Sequence, residues 1–343
     1  MSHIRHDLRQ FAAKLPRMKD AQHVGDPVPA RRPQCAPAAL MIRPATFGWN
    51  AETRDSNRFQ ARSAPDDPGL AAAALAEFDE TVAALRGAGV AIHVMEDRPE
   101  PRCPDAVFPN NWVSFHDDGT VVLYPMLAPT RRRERRPELL HQLVLEGGYT
   151  VTRLLDLTHH ELGQRFLEGT GSVVFDHVAR VAYACLSPRT HYEVLTELAD
   201  ELGYETCVFA ASGRDGAAVY HTNVLLAIGE RFAVICSGSI DPGDRERTLR
   251  RLGAGGRTVI DIGFEALEVF AGNMLELRAA DGAGVLAMSA QARAGLAVGQ
   301  FDALASCVDR VVVAPVARIE QAGGGSVRCM LAEVFLPPLR PES

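Results

Sequence analysis

The 343-residue chain is 47% hydrophobic and 23% charged, the balance of a globular protein with length for one large domain or two modest ones. Its net charge of −7 argues against a nucleic-acid partner, which would call for a basic face, and no apolar stretch approaches the ~20 residues of a membrane helix. The seven cysteines are odd in number and lack CxxC or CxxH spacing, so no metal is expected; the pattern fits a reducing cytoplasm.

Residues 1–35 stand apart as an N-terminal extension, a flexible arm or a short helix, with no apolar core of the kind a secretory signal carries. After it, short apolar strands recur: "LMIRP" from Leu40, "VVLYP" from Val121, "VAYAC" from Val181, "FAVIC" from Phe232 and "GVLAM" from Gly284. Thr130, Ser187, Asp241 and Ser289 follow the last four at positions suited to helix caps. Leu195, Leu198 and Leu202 before Gly203 show the helical period. A second apolar strand closes each segment: "VAIHVM", "YTVTRLL", "ETCVFAA", "RTVIDIG" and "DRVVVAPV". The chain therefore reads as five strand–helix–strand modules. A helical solenoid or a two-domain Rossmann enzyme competes with this reading, although no GxGxxG links a strand to a helix. Cys185 and Cys236, inside apolar strands, read as core residues.

After each second strand comes a polar or glycine-containing turn and another apolar strand. The turns are "CPDAVFPNNWVSFH", "FLEGTGSVVF", "VYHTNVLLAIG", "VFAGNMLELR" and "GGGSVRCMLAEVF". They carry Asp105, Asn110 and Asn111; then Glu168; then His221 and Asn223; then Asn273; then Cys329. If the modules close into a ring, these turns meet at one end of its axis. Cysteine, histidine and a carboxylate then make a nucleophilic constellation: the thiolate attacks, the imidazole moves protons, and the acid orients the imidazole. Arg328, next to Cys329, favours the thiolate if it points inward.

Taken singly, most of these residues have plainer readings. His221 reads as a structural histidine, Glu168 as a solvated acid, and Asn273 as a residue that satisfies its own turn. His159 and His160, beside Glu161, read as surface residues rather than metal ligands. "RRRERR", Arg131–Arg136, reads as a solvated helix start, one of whose arginines is able to hold a substrate carboxylate. The common placement of the five turns is what favours the joint reading.

Over residues 38–338 the chain resembles the guanidino-group modifying enzymes, the pentein or amidinotransferase superfamily. "LMIRPATFGWN", "DAVFPNNWVSFH", "FAGNMLEL" and "VRCMLAEVFLP" together resemble its arginine-deiminase-related citrulline-utilisation hydrolases. The resemblance implies one catalytic domain over 36–343, a five-bladed pseudo-symmetric α/β propeller. It implies Cys329 as nucleophile, His221 as general acid/base and Glu168 as its orienting acid, with no cofactor. It assigns the substrate α-amino group to Asp105 and the α-carboxylate to Arg189, with Arg131 or Arg132 as weaker candidates. Where guanidinium-binding relatives carry acids, this chain has Asn110, Asn111 and Asn223. A buried guanidinium needs carboxylate partners, whereas an amide suits a neutral ureido group. The expected activity is hydrolysis of citrulline to ornithine, ammonia and carbon dioxide by a protein whose partner is a small amino acid; a homodimer is compatible with it. A hydrolase of arginine or dimethylarginine, and a non-catalytic amino-acid-binding protein, stand as the alternatives.

Overall fold

Residues 32–60 and 67–339 are described by the computed structural model. The extension expected over 1–35 lies, through residue 31, outside the described residues. Of its last positions, Gln34 is buried and its side-chain amide donates to the carbonyl of Phe175 at 3.0 Å.

The strand–helix–strand modules are present. β1 (Ala38–Arg43) leads through α1 (Leu70–Gly87) to β2 (Ala91–Glu96). β3 (Val113–Phe115) precedes β4 (Thr120–Leu123), α2 (Pro137–Gly147) and β5 (Arg153–Asp156). β6 (Val174–Asp176) precedes β7 (Val181–Cys185), α3 (Tyr192–Leu202) and β8 (Glu205–Phe209). β9 (Leu226–Ile228) precedes β10 (Phe232–Ile235), α4 (Pro242–Gly253) and β11 (Thr258–Asp261). β12 (Leu275–Arg278) precedes β13 (Gly284–Ser289), the helices α5 (Ala290–Gly295) and α6 (Val298–Ala305), and β14 (Arg310–Ala314). β15 (Ala332–Val334) ends the series.

In every module the two strands joined by a helix run parallel, as a crossover requires. A further strand pairs antiparallel with the first of them: β15 on β1, β3 on β4, β6 on β7, β9 on β10 and β12 on β13. The middle strands β7, β10 and β13 are buried throughout, which explains their unbroken apolar sequences. β15 also pairs with β3 through Val334 and Phe115, so the first two units form one six-stranded sheet beside three three-stranded ones. The result is an α/β fold of mixed sheets.

Amphipathic helices cover these sheets. α3 buries Val194, Leu195, Leu198, Ala199 and Leu202 and stops at Gly203, whose φ of +69° favours glycine. Asp241 and Ser289 cap their helices as expected, accepting from the backbone N–H of Gly243 (2.9 Å) and of Ala292 (3.0 Å). Ser187 and Thr130 do not. His191 caps α3, while the Ser187 hydroxyl donates to the carbonyl of Tyr220. Thr130 precedes a short 3-10 turn, Arg131–Glu134, and donates to Glu52. All seven cysteines are free and buried, Cys185 and Cys236 among them. Among the described residues, no helix is long and apolar enough to cross a membrane.

Candidate active site

The turns that precede the antiparallel strands are packed on one another. The turn Pro109–Asn111 touches both Gly169–Ser172 and Val327–Met330, and Gly169–Ser172 also touches Thr222–Leu225. Two glycines in "EGTG" permit this. Gly169 has a φ of +49°, and a Cβ there would lie 2.1 Å from the carbonyl oxygen of Asn110. A Cβ on Gly171 would lie 2.5 Å from Asn111 Nδ2 and 2.7 Å from His221 Nδ1.

Cys329 sits in the last of these turns, 3% exposed. It lines a pocket together with His221, Asp105, Asn111, Arg131, Arg189 and Tyr220. Thr53 and Asn57 of the loop after β1, Phe108 and the glycines Gly323, Gly324 and Gly325 complete the wall. The sulfur is contacted by amides: Asn223 Nδ2 at 3.5 Å and Asn273 Nδ2 at 3.4 Å. Arg328 does not face it. Its guanidinium is held by Glu333 at 2.8 Å and by the carbonyl of Leu331 at 3.0 Å, so the condition on which it would favour the thiolate is not met.

Glu168, fully buried, stands behind His221 with Oε2 2.9 Å from Nε2. The same oxygen accepts from Arg189 Nη1 at 3.3 Å, and Oε1 accepts from the backbone N–H of Leu127 at 3.0 Å. Burial pushes this carboxyl up, but Arg189, His221 and Arg131 outweigh it and hold it well below the usual carboxylate range. At His221, by contrast, burial dominates, lowering its pKa to about 4 despite the support of Glu168. The imidazole is therefore neutral at neutral pH. Because ionised Glu168 only accepts, Nε2 carries the proton and Nδ1 keeps its lone pair.

Asp105 Oδ2 accepts from Asn50 Nδ2 at 2.7 Å and lies 3.8 Å from Arg131 Nε. Its Oδ1 is buried without a partner, and burial raises its pKa. Arg131 is bound by both oxygens of Glu134 and donates to Asn111 Oδ1 at 2.6 Å. Arg189 is anchored by the Ser56 hydroxyl and the Thr53 carbonyl as well as by Glu168.

The sequence-derived residues thus divide. Cys329, His221, Asp105, Asn111 and Arg189 line the cavity, with Glu168 and Asn223 directly behind its wall. Asn110 does not line it; its Oδ1 accepts from Asn111 and its Nδ2 is buried without a partner. "RRRERR" is no solvated helix start: Arg131 is buried, and Arg135 is held by Glu161 at 2.6 Å. His160, read as a surface residue, is buried and lies 2.7 Å from Glu197; with His159 the three place ligand-type atoms within 4.8 Å of one another. Asn50, Thr53, Ser56 and Asn57 were not legible as site residues, although Asn50 ends the "LMIRPATFGWN" segment.

The family model described as N,N dimethylarginine dimethylhydrolase, eukaryotic, matches residues 43–336. No curated protein sequence matches the chain. Among solved structures, the substrate-bound N-terminal domain of ArgZ, an arginine dihydrolase from the ornithine-ammonia cycle in Cyanobacteria, superposes with a TM-score of 0.67 at 16% identity, over 88% of this chain and 99% of that one. Unliganded AgrE gives 0.68 at 17% identity, over 89% of this chain but 40% of its own length. A dimethylarginine dimethylaminohydrolase adduct with S-methyl-L-thiocitrulline gives 0.57 at 17%, over 86% and 98%. At such identities the likeness carries the fold.

Proposed function

Since the chain belongs to the dimethylarginine dimethylhydrolase family, within the pentein superfamily of hydrolases that act on C–N bonds other than peptide bonds, we propose that its substrate is L-citrulline and that Cys329, His221 and Glu168 perform the hydrolysis. The turns meet at one end of a closed five-bladed ring. Contacts between successive units, β6 with β9, β9 with β12 and β15 with β3, support that closure.

The observation that carries the choice of substrate is the electrostatics around the sulfur. Two neutral amides contact Sγ. Glu168 is spent on His221, Arg189 and Leu127, and Arg131 and Asn50 share one oxygen of Asp105. A guanidinium bound against Sγ lacks a carboxylate to pair with, a severe cost in a buried site. A ureido group carries no charge and offers both a carbonyl and N–H groups. Asn223 Oδ1, buried without a partner, is an acceptor for one of those N–H groups. The free Oδ1 of Asp105 suits the α-ammonium, and the arginines Arg131 and Arg189 bring positive charge for the α-carboxylate.

The thiol of Cys329 gives its proton to Nδ1 of His221, and the thiolate so formed bonds to the ureido carbon. The imidazolium, stabilised by Glu168, passes that proton to the departing nitrogen, and the C–N bond breaks. Neutral His221 then takes a proton from water, the hydroxide adds to the thioester-like carbon, and the C–S bond breaks. The imidazolium returns its proton to the sulfur, and the carbamic acid released falls apart as its remaining C–N bond breaks; one water is consumed, and ornithine, ammonia and carbon dioxide leave.

The direct test is a panel of citrulline, arginine and dimethylarginine, with ornithine and ammonia release as readout. Citrulline is expected to be turned over with a kcat/KM at least about 100-fold above the others, the scale of an unpaired buried charge. A preference for arginine overturns the substrate choice. Asp105→Asn is expected to raise KM about 100-fold with a smaller effect on kcat, because it removes binding energy from a group remote from the reacting carbon. Steady-state kinetics on citrulline checks this, and an unchanged KM removes Asp105 from the ammonium site.

A further inference from the structure

Asn273, in "FAGNMLEL", reads from sequence as a residue that serves its own turn. Its side chain is fully buried and does something else. Oδ1 accepts from the backbone N–H of Arg328 at 3.1 Å, which fixes which end of the amide is oxygen. Nδ2 donates to the carbonyl of Asn223 at 3.0 Å and faces Cys329 Sγ at 3.4 Å. Asn223 Nδ2 approaches the same sulfur at 3.5 Å. One side chain thus ties three of the turns together at the reacting atom.

We infer that Asn273 is a donor to the reacting sulfur, forming with Asn223 a two-amide cradle that holds the negative charge of the thiolate before attack and after release. The inference rests on the proposed role of Cys329 as nucleophile, and goes beyond it by assigning the charge stabilisation to neutral amides. The charged and titratable groups that face the sulfur across the cavity are His221, Tyr220, Asp105, Arg131 and Arg189. Arg328, adjacent in sequence, is turned to Glu333, and Glu320 is engaged by the Ser326 hydroxyl. β13 and the turn Pro109–Asn111, both packed against the cysteine turn, bring no charged residue to it. N–H donors to an ionised acceptor are stronger than neutral pairs, and preorganised ones need no rearrangement as the charge forms.

The experiment is alkylation of Cys329 by iodoacetamide in the full-length protein without substrate, followed by mass spectrometry across a range of pH. Asn273→Asp keeps an acceptor for Arg328 N–H but replaces the donor at sulfur with a carboxylate oxygen. Alkylation at pH 7 is expected to slow about tenfold or more, with the profile displaced to higher pH. Asn273→Ala is expected to slow it less and serves if the Asp variant does not fold; thermal melts establish which variants fold. A profile unmoved in the folded variants reduces Asn273 to a structural anchor and overturns the cradle. A parent protein whose Cys329 resists the reagent at every pH overturns the nucleophile beneath it instead. Because no substrate is added, neither outcome depends on whether citrulline is the right compound.

Discussion

Cys329→Ser is expected to lower kcat for C–N hydrolysis by about 10⁴-fold or more while leaving the melting temperature within a few degrees of the parent. The hydroxyl is a far weaker acid than the thiol, and His221, with a pKa lowered to about 4 by burial, is a weak base for it. The variant therefore forfeits the covalent route, and groups that act as a unit lose most of their effect when one is removed. The fold has little at stake, since the sulfur's polar contacts are the long ones to Asn223 and Asn273. Ammonia release under saturating substrate and a thermal melt are the two measurements. A serine variant that retains activity within tenfold of the parent would falsify the covalent mechanism.

Glu168→Gln is expected to cost both catalysis and stability. The amide keeps the shape but removes the charge that holds the Nε2–H tautomer of His221 and stabilises its imidazolium. A loss of about 10³-fold in kcat is the expected scale. The same change leaves the buried guanidinium of Arg189 without its carboxylate, with only the neutral Ser56 hydroxyl, Thr53 carbonyl and Tyr220 ring, which costs about 3 kcal/mol of stability. Since Glu168 raises the pKa of His221 against the larger effect of burial, its loss lowers that pKa further. The acid limb of kcat/KM, which lies near pH 4 if set by protonation of His221 in the free enzyme, then moves to lower pH. A pH–rate profile of the variant reads this shift; a limb that moves upward refutes the assignment of the imidazole.

The modules were legible because burial leaves a mark on composition. β7, β10 and β13 are covered on both faces, so their sequences are apolar without interruption. The partners of Glu168 were less visible. Its bond to His221 spans 53 positions and that to Arg189 spans 21, and only the common placement of the turns suggested that they converge. Arg131 was missed as a buried residue because a run of arginines resembles a solvent-facing helix. The overlooked signal is Glu134, three residues on, which neutralises it in place. Asn273 was misjudged for a related reason: a turn asparagine ordinarily serves its own backbone, and nothing local announces that this one reaches Arg328 and Cys329, 55 and 56 positions away. Thr130 and Ser187 show the limit of capping rules, since tertiary partners claimed both hydroxyls.

The strand β15 lies between β1 and β3, so a segment remote from both in sequence is the seam between the first two units. The cysteine turn comes immediately before that strand. A chain cut short of Ala332 would lack the seam, leaving the cysteine turn to the packing of β13 and the turn Pro109–Asn111. The reactivity proposed for Cys329 thus depends on pairings between strands far apart in sequence, and is expected only once that sheet has formed.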